Sequence, residues 1–260
     1  MSLRRSTIAA AVAVLLLYGG LIVSLGWFLE AGTVAATLRS ERTLFSVRLS
    51  LISATLAAIP ALLLAAPAAY ALSRYRFPGR ELVDTLLEFP IIVSPAALGA
   101  MLLIFFNNPL GAWIQDHLIQ FVFSVAGIVL AQFVTVLGVA VRVLKTSFDE
   151  VPVEFETVAR TLGASPWYAW TTVTLPLVRR GLIAAFVLSW AKALGEFGAT
   201  IMVAGTMAMR TETLPTAIYL RLAGADIEGT AALILILVIL GLTALYATRR
   251  LLGRAVHAAD

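Results

Sequence analysis

The chain has 260 residues, 60% hydrophobic and only 13% charged, with a mean hydropathy of +0.95, which excludes an ordinary water-soluble domain and indicates an integral membrane protein. It has no cysteine, which excludes disulfides, thiolate chemistry and a Cys-built metal site, and only two histidines, one of them His257 in the tail, so no metal is expected. A net charge of +4 and a pI near 9.8 would suit nucleic acid in a soluble protein, but in a membrane chain the placement of the basic residues carries the meaning, and no nucleic-acid partner is expected.

Crossing a hydrocarbon core of ~30 Å takes about 20 helical residues. Six stretches qualify, and the expected fold is all-α: one transmembrane domain over 1–260, with spans near 8–29, 45–72, 86–106, 118–144, 177–204 and 230–248. With the N-terminus inside, the inner segments collect Arg4, Arg5, Arg74, Arg76, Arg80, Lys145, Arg160, Arg179, Arg180, Arg249, Arg250 and Arg254. The outer segments collect only Arg39, Arg42, Arg210 and Arg221, so both termini are expected in the cytoplasm.

Arg4-Arg5 followed by Ile8 to Leu17 has the basic and apolar parts of a signal peptide. The apolar run continues to Leu29 without a clear small-residue cleavage site, so an uncleaved anchor helix is expected. Pro60 and Pro67 in the second span, and Pro90 and Pro95 in the third, each remove a backbone donor and are expected to bend their helices unless neighbours satisfy the freed carbonyls. Arg48 and Arg142 lie near the ends of spans, where long side chains snorkel and anchor.

The segment 145–176 is polar and well punctuated, and it predicts a helix-turn-helix facing water. Asp149, Glu150, Glu154 and Glu156 precede or occupy a helical first turn, where carboxylates complement the macrodipole. Gly163 supplies a left-handed closing residue, and Ser165-Pro166 reads as an N-cap with proline at the first position of a second helix. Val158, Leu162, Trp167, Tyr168 and Trp170 put apolar surface on this element. It either lies on lipid headgroups or fits a groove on a partner protein.

Lys192 and Glu196 are charges inside the fifth span, and intramembrane ionisable residues are functional candidates by default. Their i, i+4 spacing places them one turn apart on one helix face, as a self-neutralising pair or as a counter-charge to a passing anion. Ser94, Pro95, Thr135 and Thr200 complete the candidate pathway residues, although hydroxyls in membrane helices commonly bond neighbouring backbone. Arg210, Glu212, Arg221, Asp226 and Glu228 predict a mixed-charge surface on the outer loop.

Thr157-Val-Ala-Arg-Thr-Leu-Gly163, nine residues, then Val173-Thr-Leu-Pro176 resembles the EAA loop of bacterial and archaeal ABC importer permeases. The glycine-to-proline spacing matches in full, while Thr157 and Val158 stand where the family has Glu and Ala, with Glu156 one residue earlier. Ala193-Leu-Gly-Glu-Phe-Gly-Ala-Thr-Ile-Met-Val-Ala-Gly205 and Arg210-Thr-Glu-Thr-Leu-Pro-Thr-Ala-Ile-Tyr219 are similar to molybdate and tungstate permeases, with sulfate permeases close behind. Pro67 to Gly79 also resembles the start of the common transmembrane core.

The resemblance implies a permease in the inner membrane of a prokaryote, paired with a second copy of itself, with cytoplasmic ATPase subunits and an external oxyanion-binding protein. It assigns ATPase coupling to Glu156, Thr157, Val158, Ala159, Gly163, Ala164, Ser165 and Pro166. The chain holds no Gly-x-x-x-x-Gly-Lys-[Ser/Thr] loop, so it is not expected to be an enzyme or to bind a cofactor; ATP and magnesium belong to the partner ATPase. An ion-coupled secondary transporter is the alternative class, for which Glu196 is the one firm buried-carboxylate candidate.

Overall fold

The structure is a computed structural model and describes residues 3–257. Its elements are α1 (Leu3–Leu25), α2 (Ala31–Arg39), α3 (Glu41–Arg74), α4 (Arg80–Ile92), α5 (Pro95–Phe106), α6 (Pro109–His117) and α7 (Val125–Asp149). There follow α8 (Glu154–Thr161), α9 (Pro166–Ala169), a π turn over Trp170–Thr174, α10 (Leu175–Leu177), α11 (Arg179–Leu194), α12 (Gly198–Ala204), α13 (Leu214–Ala223) and α14 (Ile227–His257). Among the described residues four helices are long and apolar enough to cross a membrane unaided, and two bent pairs bring the number to six when each pair is one span.

The bundle is organised on α3, which packs along α7, with α11, α12 and α4 laid against α7 in turn. Ala54, Ala57, Ala58, Ala61, Ala65 and Ala69 of α3 are all fully buried. Small side chains let backbones approach closely, which matters where lipid is as apolar as the helices and gives no hydrophobic incentive to associate. Three clusters follow the bundle axis. Leu72, Leu144, Phe148 and Val178 fill one end, Val136 and Leu194 the middle, and Leu49, Ile128 and Ala204 the other end. Gly99 of α5 sits so close to α12 that a Cβ would lie 2.8 Å from the Ala199 backbone.

Several expected spans are corrected. The stretch 86–106 is two helices bent by 110° at Val93-Ser94, because Ser94 caps a new helix that begins with Pro95. The stretch 118–144 is helical only from Val125, Ser124 being the N-cap. The stretch 177–204 stops at Leu194 and restarts at Gly198, and a 71° bend separates Pro166–Leu177 from α11. Conversely, α3 runs unbroken through Pro60 and Pro67. The loop 205–228 carries α13, with Thr211, Glu212, Thr213, Leu214 and Thr216 buried, so Glu212 is no part of a charged surface.

Candidate functional site: the elbow and the broken helix

The elbow is built as two helices around a glycine. The first, α8, ends at Thr161, and Gly163 takes φ +94°, a left-handed conformation that residues with a Cβ rarely adopt. Ser165 then caps α9, its Oγ accepting from the Tyr168 N–H at 3.2 Å, with Pro166 at the first helical position. The outer side of this turn is apolar: Leu162 is 84% exposed and Trp167 70%, with Val158 and Tyr168 also exposed. Thr157, Gly163, Ser165 and Pro166 are exposed beside them, and Ala159 and Ala164 are half-buried.

Glu156 points the other way. It is only 8% exposed and accepts from Tyr70 Oη at 2.7 Å, Thr174 Oγ1 at 2.8 Å and Arg74 Nε at 3.0 Å. Arg74 Nη2 also donates to the Val151 carbonyl at 2.8 Å, and Ser73 Oγ to Asp149 at 2.6 Å. Burial alone would push the Glu156 carboxyl up. The Tyr70 and Thr174 hydroxyls and the Arg74 guanidinium outweigh it and hold the group below its usual range. The π turn over Trp170–Thr174 carries Thr174 inward to make its bond. Tyr70 is further held by Phe148 and Trp170, with ring centroids 5.6 and 5.8 Å away.

The second feature is the interruption at Gly195–Phe197. Glu196 is buried and its Oε1 accepts from the Ala199 N–H at 3.0 Å, so its carboxylate caps α12. Lys192 is exposed on α11. The expected one-face pairing of Lys192 with Glu196 is therefore corrected: α11 ends between them at Leu194, and among the described residues the two form no ion pair. Ser94 and Pro95 meet this break, because a Cβ on Gly198 would lie 2.9 Å from Ala96 N and 3.2 Å from Pro95 Cβ. Two helix N-termini, of α5 and α12, thus come together where the first turn of α5 is exposed. Thr135 and Thr200 are fully buried; Thr135 Oγ1 donates to the Gln132 carbonyl at 2.8 Å.

Sequence reading missed the partners of Glu156, because Tyr70 and Arg74 lie more than eighty residues earlier. It also missed Gln132, a fully buried amide of α7 whose Nε2 and Oε1 both lack a partner, as do the hydroxyls of Ser189 and Thr200. A glutamine in the middle of an apolar run was the available signal. Arg142, expected to anchor, pairs with Glu88 at the surface, while Arg48 is exposed.

Residues 29–258 match the family described as binding-protein-dependent transport system inner membrane component. A molybdenum transport system permease protein of Haemophilus influenzae is 36% identical over 205 residues, covering 77% of this chain and 89% of that one. A sulfate transport system permease protein of Escherichia coli is 34% identical over 188 residues, covering 72% and 68%. The fold matches a bacterial alginate ABC transporter, solved in complex with its alginate pentasaccharide-bound periplasmic protein, at a TM-score of 0.78 and 15% identity over 97% of this chain and 94% of that one. With its elbow, broken spans and small-residue helix packing in place, the chain belongs to the inner-membrane permeases of binding-protein-dependent ABC transport systems.

Proposed function

We propose that this chain is the permease subunit of an ATP-driven importer for a tetrahedral oxyanion, molybdate or tungstate, working as a homodimer with two cytoplasmic ATPase subunits and an external binding protein. The observation that carries the reading is the elbow's exposed apolar knob of Val158, Leu162, Trp167 and Tyr168 around Gly163. An apolar knob with a polar rim is what a separate protein's groove covers. The excess of Arg and Lys at the elbow end supports a cytoplasmic placement of the elbow and both termini. Similarity to the molybdenum permease supports the substrate class, and similarity to the sulfate permease keeps sulfate as the second reading.

The pathway reading rests on the break. Lys192 is a surface cation on a helix otherwise suited to lipid, which is costly unless it faces a polar channel or a second copy. It lies three residues before the turn where the capped start of α5 meets Gly198, and the positive ends of broken helices favour anions. Ser94, exposed beside Pro95, shares that location, whereas buried Thr135 and Thr200 shape the helices around it. Nucleotide-driven closure of the ATPases would move the elbows and switch the bundle between two access states.

The test is uptake of molybdate and sulfate into proteoliposomes holding permease, ATPase and binding protein. Gly163→Arg meets both an unfavourable φ and the docking surface, and is expected to abolish ATP-dependent uptake while the protein remains in the membrane. Normal uptake by that variant refutes the docking assignment.

A further inference from the structure

The longest helix of the described chain, α3, is pinned at both ends by a buried glutamate held by one of its own arginines. At the elbow end, Arg74 binds Glu156 at 3.0 Å, with Tyr70 and Ser73 fastening Glu156 and Asp149 on the same turns. At the far end, Arg42 Nε donates to both Glu212 oxygens at 3.0 and 2.7 Å, and Glu212 is only 2% exposed. About two turns in from Arg42, Ser50 Oγ accepts the Leu214 N–H at 2.7 Å, so α3 also holds the start of α13. These contacts join segments 82, 86, 164 and 170 residues apart. Arg42 and Arg74 are separated by about 48 Å of helix at 1.5 Å per residue, more than the thickness of a hydrocarbon core.

We infer that α3 is a strut that couples the elbow to the loop 205–213 on the opposite face, so that the ATPase side and the binding-protein side sense each other through the Glu156–Arg74 and Glu212–Arg42 pairs. This inference rests on the proposed transport reading and adds its route. Two covalent routes leave α8: the short link 150–153 back to α7, and a forward route that passes a π turn and a 71° bend before α11, a jointed connection that yields under load. The strut bypasses it. The Arg74–Glu156 pair is buried on both sides, while Arg42 is half-exposed over a buried Glu212; breaking either one strands a glutamate charge away from water, which holds the contact rigid. Between the two pairs α3 is unbroken and lined by fully buried alanines, so displacement at one end reaches the other.

The experiment is a double-mutant cycle on the complete complex in proteoliposomes, reading how strongly molybdate-loaded binding protein stimulates ATP hydrolysis. Glu156→Gln and Glu212→Gln are each expected to cut stimulation about tenfold, within the usual range of inter-site coupling. Sites this far apart with no shared partners ordinarily add. The strut requires the opposite, that the double variant be no worse than either single one. A double loss equal to the product of the single losses overturns the strut, as does full stimulation in either folded single variant. Should the glutamine variants fail to assemble, Thr174→Val and Ser50→Ala remove one hydroxyl at each end and are judged by the same cycle. If the parent complex shows no hydrolysis-dependent uptake, the transport reading itself falls; additive losses in a working parent remove the strut alone.

Discussion

The elbow and the helix break differ in how completely their buried polar groups are satisfied, and the difference separates a part that transmits motion from a part that undergoes it. At the elbow, Glu156 accepts three hydrogen bonds and Arg74 serves two acceptors of the loop, Glu156 and the Val151 carbonyl. Around the break, Glu196 accepts one bond from Ala199, and Gln132, Ser189 and Thr200 on α7, α11 and α12 have four buried polar atoms with none, against the single Trp170 Nε1 at the elbow. Buried polar groups are nearly always paired in stable packings, so unpaired ones weaken the packing around the break relative to the elbow. Alternating access needs a competing state close in free energy. A lever needs the reverse.

The sharpest way to break this contrast is to remove one member of the elbow pair. Arg74 and Glu156 side chains are only 6% and 11% exposed, so Arg74→Ala leaves a buried carboxylate with two hydroxyl donors and no counter-charge. The expected loss is about 3–5 kcal/mol, seen as a large drop in the melting temperature of the purified protein. Arg76, two residues on and exposed, serves as the control, with Arg76→Ala expected within about 0.5 kcal/mol of the parent. Equal small effects at both positions would mean the elbow is not clamped.

At the break the expected sign reverses. Gln132→Leu replaces an unpartnered buried amide with an apolar side chain of similar length, and is expected to stabilise this conformation by about 1–3 kcal/mol. Because the competing state gains nothing, transport is expected to slow while the melting temperature rises. A destabilised Gln132→Leu would show that the amide is paired in the resting protein and that the two regions do not differ in this respect.

How much of this was legible depends on whether the signal was local. The punctuation of the elbow was: Gly163 and Ser165-Pro166 act through their own backbone and their nearest neighbours. Pro95 follows the same rule. Ser94-Pro95, Asn108-Pro109 and Ser165-Pro166 each begin a helix with the preceding side chain accepting a bond from a first-turn N–H. Pro60 and Pro67 follow Ile59 and Ala66, which offer no cap, and the helix runs through them. A proline after a capping residue therefore separates a break from a tolerated proline, and reading that pair together would have divided 86–106 correctly. Lys192 and Glu196 misled because i, i+4 spacing has meaning only on a continuous helix, and Gly195 ends this one. The inward aim of Glu156 was not legible, since it depends on Tyr70 and Arg74 arriving from α3.

The smallest effect concerns protons. The Glu156 carboxyl is held below its usual range in the folded state, so its contribution to stability is fully present above the ordinary glutamate pKa of about 4.3 and is lost as pH falls through the lowered folded value. Glu156→Gln lacks that titration. The variant is expected to melt below the parent at neutral pH, and the gap between the two is expected to close on acidification below about pH 4.3. Both proteins lose stability in acid through their other carboxylates, which cancel in the comparison. A gap that stays constant down to the acid limit would mean that the three bonds to Glu156 do not depend on its charge. The elbow would then be held by packing of Tyr70 against Phe148 and Trp170, and the contrast with the break would rest on aromatic contacts rather than on a satisfied ion pair.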